Sequence, residues 1–66
     1  MNGILKAIRE KNNMTQGQIA KEAQISLAQY QNIEYGTSRP RVDTALRIAD
    51  ALGTTVEEIF KGEENR

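Results

Sequence analysis

Along this chain the apolar residues recur three and four positions apart instead of alternating, which is the period of helices and not of strands. Ile4, Leu5 and Ile8 form a short stripe that predicts a first helix over roughly residues 3–12. Asn12 and Asn13 weaken it. Thr15, Ser26 and Thr55 are followed three residues later by Gln18, Gln29 and Glu58. That spacing is the capping box: the hydroxyl accepts from a free backbone amide of the first turn, and the Gln or Glu reaches back to the cap's own amide. Each box is followed by apolar residues at helical spacing: Ile19, Ala20 and Ala23, then Tyr30 and Ile33, then Val56, Ile59 and Phe60. Gly36 suits the left-handed position that ends a helix. Pro40 restrains Arg39 to an extended conformation, so the next helix begins after it. Val42, Ala45, Leu46, Ala49 and Leu52 give that fourth helix an apolar face, and Gly53 stops it. Five helices joined by short turns predict an all-α fold, a compact five-helix orthogonal bundle.

Size and chemistry narrow the function. The chain has 66 residues, enough for one small and marginally stable domain. We expect that domain over residues 1–61 and a polar, disordered tail over 62–66. There is no cysteine and no histidine, which removes disulfides, thiolate ligands, and the commonest general base and metal ligand. We expect no metal and no cofactor. Charges at Lys6, Arg9, Glu10 and Lys11 interrupt the N-terminal apolar run, so no signal peptide is read there. No stretch approaches membrane-spanning length, and a cytoplasmic protein without membrane contact is expected. Nine Lys and Arg balance nine Asp and Glu. The balance is uneven along the chain: residues 57–66 carry four acids and two bases, whereas residues 1–56 carry seven bases and five acids. For a polyanionic partner the local field matters more than the total.

Only Gln24, Ile25 and Ser26 separate the second and third helices. A turn that short makes the helices cross steeply, which is the helix-turn-helix arrangement whose second helix can enter a DNA major groove. Taken together, the run Thr15-Gln16-Gly17-Gln18-Ile19-Ala20-Lys21-Glu22-Ala23, then Ile25-Ser26, Ile33-Glu34-Tyr35-Gly36, Pro40, Leu46, Ala49 and Leu52-Gly53 resembles the Cro and phage-repressor (Xre-like) helix-turn-helix domain, whose fold is lambda-repressor-like. The resemblance covers roughly residues 4–60, and a dozen positions agree in order and spacing.

The resemblance implies roles. Gln16 matches a glutamine that grips a phosphate. Leu27, Ala28, Gln29, Gln31 and Asn32 match the base-reading positions, and Arg39 and Arg41 lie on a loop that touches the DNA backbone. An Asn32 side chain can both donate to and accept from adenine, and Leu27 and Ala28 can pack on thymine methyls. Arg9 and Glu34 match a structural ion pair. The family usually forms homodimers near its last helix, which places Val56, Ile59 and Phe60 at an interface. Three positions depart from the pattern. Gln24 stands where many members have glycine, Leu27 where several have a glutamine that braces the one at Gln16, and Arg41 where a serine often caps the fourth helix.

The reading is a sequence-specific transcriptional regulator, a repressor, that binds a near-palindromic double-stranded operator as a homodimer and takes no small-molecule substrate. The alternative is a protein-interaction module on the same fold, antitoxin-like or coactivator-like, without operator choice. Zero net charge and the apolar Leu27-Ala28 tip favour it. An enzyme is not expected: Asp43, Asp50, Glu57 and Glu58 have no nucleophile, base or metal cluster beside them in the pattern, and no residue is assigned a catalytic role.

Overall fold

The computed structural model describes residues 3–64, the last four as backbone. Five helices follow one another: α1 (Gly3–Lys11), α2 (Gln16–Ala23), α3 (Leu27–Tyr35), α4 (Val42–Leu52) and α5 (Val56–Glu64). No strand occurs among the described residues. Helix α5 runs on past Gly62 to Glu64; residues 65 and 66 of the expected tail lie outside the described residues.

Each helix sends one side chain to the centre. Leu5, Ile19, Tyr30, Ile48 and Ile59 are each at most 1% exposed. Burying one large aliphatic or aromatic side chain contributes roughly 1.5–3 kcal/mol, so these five are the main favourable term of a small core. The widest contact is between α2 and α4. It is built from small residues, Ala20 and Ala23 on one side and Ala45 and Ala49 on the other, all buried, which lets the two helices approach closely. Arg47 locks the pair by donating from Nε to the Ala23 carbonyl at 2.9 Å, a carbonyl left free at the end of α2.

Helix α4 shows where the sequence pattern and the packing part. Ala45, Ala49 and Leu52 point inward as expected, joined by Thr44 and Ile48. Val42 and Leu46 do not: they are 78% and 52% exposed. They lie four apart, one turn above the other, and form a strip beside the buried face and not within it.

All four turns between helices use one device. Asn13, Gln24, Gly36 and Gly53 adopt positive φ, between 57° and 84°. In each case the next residue's amide reaches back into the preceding helix: Met14 to Arg9 O, Ile25 to Ala20 O, Thr37 to Asn32 O and Thr54 to Ala49 O, at 2.9–3.2 Å. This is the Schellman motif, which satisfies the last carbonyls of the helix. At the helix starts, Thr15 forms the full capping box with Gln18, Ser26 Oγ accepts from the Gln29 amide, and Thr55 Oγ1 accepts from the Glu58 amide. Arg41 opens α4 with no side-chain cap; the Asp43 carboxylate instead accepts from the Thr44 amide at 2.9 Å.

Gln24 is the least suited of the four left-handed residues, because its Cβ crowds a carbonyl oxygen that glycine would leave clear. Gln24→Gly should therefore stabilise the domain by about 0.5–1 kcal/mol, net of the extra entropy glycine has when unfolded. Thermal unfolding should show a midpoint higher by a few degrees; an unchanged or lower midpoint would mean that Gln24 is not strained.

Candidate nucleic-acid interface

The helix-turn-helix is held by a buried polar cluster beneath α3. Arg9 of α1 meets Glu34 of α3 through two parallel bonds, Nε to Oε1 at 2.8 Å and Nη2 to Oε2 at 3.2 Å. The side chains are 11% and 2% exposed. Arg9 Nη1 also donates to the Met14 carbonyl at 3.0 Å, tying in the turn before α2. Glu34 accepts twice more, from the Tyr30 hydroxyl at 2.9 Å and from Gln16 Nε2 at 3.0 Å. No buried side-chain polar atom among the described residues lacks a partner. Burial pushes the Glu34 carboxyl up, but the bonds from Arg9, Tyr30 and Gln16 together outweigh it and hold it below the usual carboxylate range. Burial, then the Glu34 carboxylate, drives the Tyr30 phenol far up, and the bond to Glu34 raises Arg9. The cluster is charged on both sides at neutral pH.

With Tyr30, Ile33 and Glu34 turned inward, α3 presents Leu27, Ala28, Gln29 and Asn32 outward. Leu27 is 47% exposed, so it is neither core nor a staple. Asn32 is partly oriented: Thr37 Oγ1 lies 3.2 Å from both its main-chain oxygen and its Oδ1. One hydroxyl proton serves one of these at a time, and the Asn32 amide nitrogen stays free to donate. Nothing in the sequence pattern signals this role for Thr37, because it depends on the chain reversing at Gly36.

Gln31 sits differently. It is half-buried and turned toward α2, where its Nε2 donates to Gln16 Oε1 at 3.1 Å. It does for Gln16 what Leu27 cannot. Gln16 is thus held by Gln31 and Glu34, with a longer bond from Nε2 to the Tyr35 hydroxyl at 3.4 Å. Arg39 and Arg41 are exposed on the loop before α4; Arg41 makes only a loose 4.0 Å contact to Asp43. At the other end, Ile59 and Phe60 are 1% and 7% exposed and pack into their own chain's core, leaving a partner little surface. The open apolar surface there is a groove of about 660 Å³ between α4 and α5, lined by Pro40, Val42, Leu46 and Val56 among others. Among the described residues no cluster of three acidic side chains is placed to hold a metal ion, and no helix is long and apolar enough to cross a membrane.

Comparison with known proteins agrees with this geometry. A helix-turn-helix family model matches residues 5–59. The chain belongs to the Cro/phage-repressor-type helix-turn-helix family. It is also 39% identical over 51 residues to the cryptic phage CTXphi transcriptional repressor RstR of Vibrio cholerae serotype O1 (strain ATCC 39315 / El Tor Inaba N16961), a match covering 77% of this chain and 46% of that protein. The chain therefore spans less than half of that relative's length. No solved structure matches it significantly. The helix-turn-helix of this family is a DNA-binding element, and α2 and α3 are that element here.

Glu34 is held lower in the folded chain than its ordinary value. Its contribution to stability is therefore complete above the unfolded carboxylate pKa of about 4.3 and is lost as pH falls through the lower folded value. The wild-type melting temperature should drop across that window. Glu34→Gln, which leaves Arg9 buried and unpaired, should lose roughly 3–5 kcal/mol at neutral pH and depend less on acid. Parallel acid profiles for the two proteins would show that the network does not carry this dependence.

Proposed function

We propose that this protein is a cytoplasmic transcriptional repressor that sets α3 in the major groove of a near-palindromic operator and acts as a homodimer. One observation carries the reading. The inner face of α3 is pinned through Glu34, while its outer face, Leu27, Ala28, Gln29 and Asn32, has no role in the core. A rigidly held helix with an unused outer face is what base reading requires. Leu27 and Ala28 suit thymine methyls, and Asn32 suits adenine, so an A·T-rich half-site is expected. Gln16, Arg39 and Arg41 belong to the phosphate backbone, whose contacts supply affinity without sequence choice. The reading calls for no cofactor and no small-molecule ligand.

The groove between α4 and α5 supports the dimer. Its apolar floor is rimmed by Arg39 on one side and by Asp50 and Glu57 among the others. A two-fold contact is self-complementary, so the apolar floor of one copy can meet that of the other. Val42, Leu46 and Val56 then form the contact, with Ile59 and Phe60 supporting it from beneath.

Selection from a randomised duplex pool at near-physiological salt tests this. The wild-type chain should enrich a palindrome with half-sites about one helical turn, ~34 Å, apart. Asn32→Ala should lose preference at one base pair per half-site, about 1–3 kcal/mol. Leu46→Glu should melt like the wild type yet sediment as a monomer and favour no paired half-sites. Enrichment of nothing by the wild type would sink the operator reading and favour a protein-interaction module, for which the same apolar groove is a suitable surface.

A further inference from the structure

Gln16 is the residue that the reading above places at a phosphate, yet its side chain is already committed within the protein. Its Nε2 donates to Glu34 Oε2 at 3.0 Å and to the Tyr35 hydroxyl oxygen at 3.4 Å, and its Oε1 accepts from Gln31 Nε2 at 3.1 Å. A primary amide has two N–H donors, and here both point at acceptors. A phosphate oxygen can only accept. To be gripped by this side chain it would have to break a bond to a buried carboxylate or displace the tyrosine.

Tyr35 offers another route. It is the last residue of α3 and is 45% exposed. Its oxygen accepts from Gln16, and its own hydroxyl hydrogen has no partner among the described residues. The phenol therefore presents a free donor to solvent beside the start of α2, on the same side as Gln16. A hydroxyl donating to an anionic phosphate forms a charge-assisted bond, shorter and stronger than a neutral one. When Gln16 donates to the phenol oxygen it also polarises the O–H and improves that donor.

We propose that the Tyr35 hydroxyl donates directly to a DNA backbone phosphate, and that Gln16 is a positioning residue that holds the phenol oxygen instead of gripping the phosphate with its own amide. This rests on the DNA-binding reading. It reassigns the chemistry at the start of α2: the chain Gln31 to Gln16 to Tyr35, anchored on Glu34, sets the phenol at a fixed place relative to α3. The contact carries no sequence information. Being neutral, it releases no counterion of its own.

The test uses a short duplex carrying the sequence that the wild-type chain enriches. Tyr35→Phe removes one oxygen from an exposed position, so its melting temperature should match the wild type. Its affinity should fall about tenfold, the order expected for one bond to a charged group, with base preference and salt slope unchanged. Duplexes in which single phosphates are replaced by neutral methylphosphonates locate the contact. At one phosphate per half-site the replacement should weaken the wild type and leave Tyr35→Phe nearly unaffected. In a Gln16→Ala background, Tyr35→Phe should still cost affinity, though less. Equal binding by wild type and Tyr35→Phe overturns the tyrosine contact and leaves operator binding intact. So do losses that add at every phosphate, or a tyrosine effect that vanishes without Gln16. A wild type that prefers no duplex removes the reading beneath it, and the inference with it.

Discussion

The bidentate bond between Arg9 and Glu34 joins parts of the chain 25 residues apart. Around it are the Met14 carbonyl, the Tyr30 hydroxyl and the Gln16 amide. Through these, α1, the turn after it, α2 and α3 are all tied to one carboxylate. Taking two charges out of water is expensive, and a buried pair of this kind adds little net stability compared with well-packed apolar side chains. What it does add is direction. Apolar packing tolerates some roll of α3, whereas the three bonds from Arg9 and Gln16 to one carboxylate do not, because rolling away leaves a charge buried and unpaired. The outward face of α3 is defined by this constraint more than by the hydrophobic core.

The turns complete the same task by economy. Four Schellman turns with a left-handed residue close α1 to α4, so each of these helices stops within two residues. In a chain this short there is no length to spare for loops, and abrupt reversals are how five short helices surround one central cluster. Two of those positions are glycine, and two are amide residues that accept some strain.

The surface left over divides into two regions of different chemistry. One is the outer face of α3 with Thr37, Tyr35, Arg39 and Arg41, polar and cationic apart from the Leu27–Ala28 tip. The other is apolar: the groove with Val42, Leu46 and Val56. Zero net charge is compatible with a polyanion partner because four of the nine acids lie in α5, which leaves residues 1–56 with seven bases against five acids. These two regions are the surfaces that the proposed dimeric operator reader would use.

Much of this protein was legible in its residues. Helical period, hydroxyl caps with Gln or Glu three residues on, and Gly36 and Gly53 determined five helices and several of their ends, because those signals act locally; the end of α5 was not among them, since that helix continues through Gly62 to Glu64. The short turn at Gln24–Ser26 determined a helix-turn-helix, and Arg9 with Glu34 were identifiable as a pair from the family pattern. Tertiary structure alone decided which apolar residues reach the core. Val42 and Leu46 have the same hydrophobicity class as Leu52 and Ile48, yet stay outside because α2 lies against the other flank of α4. It also turned Gln31 from the outer face toward Gln16, brought Thr37 to Asn32, and brought Tyr35 within reach of Gln16. Periodicity states which residues share a side of one helix; which side meets a neighbour, and which polar atoms then pair, follows from how the helices cross, and the crossing depends on contacts between residues distant along the chain.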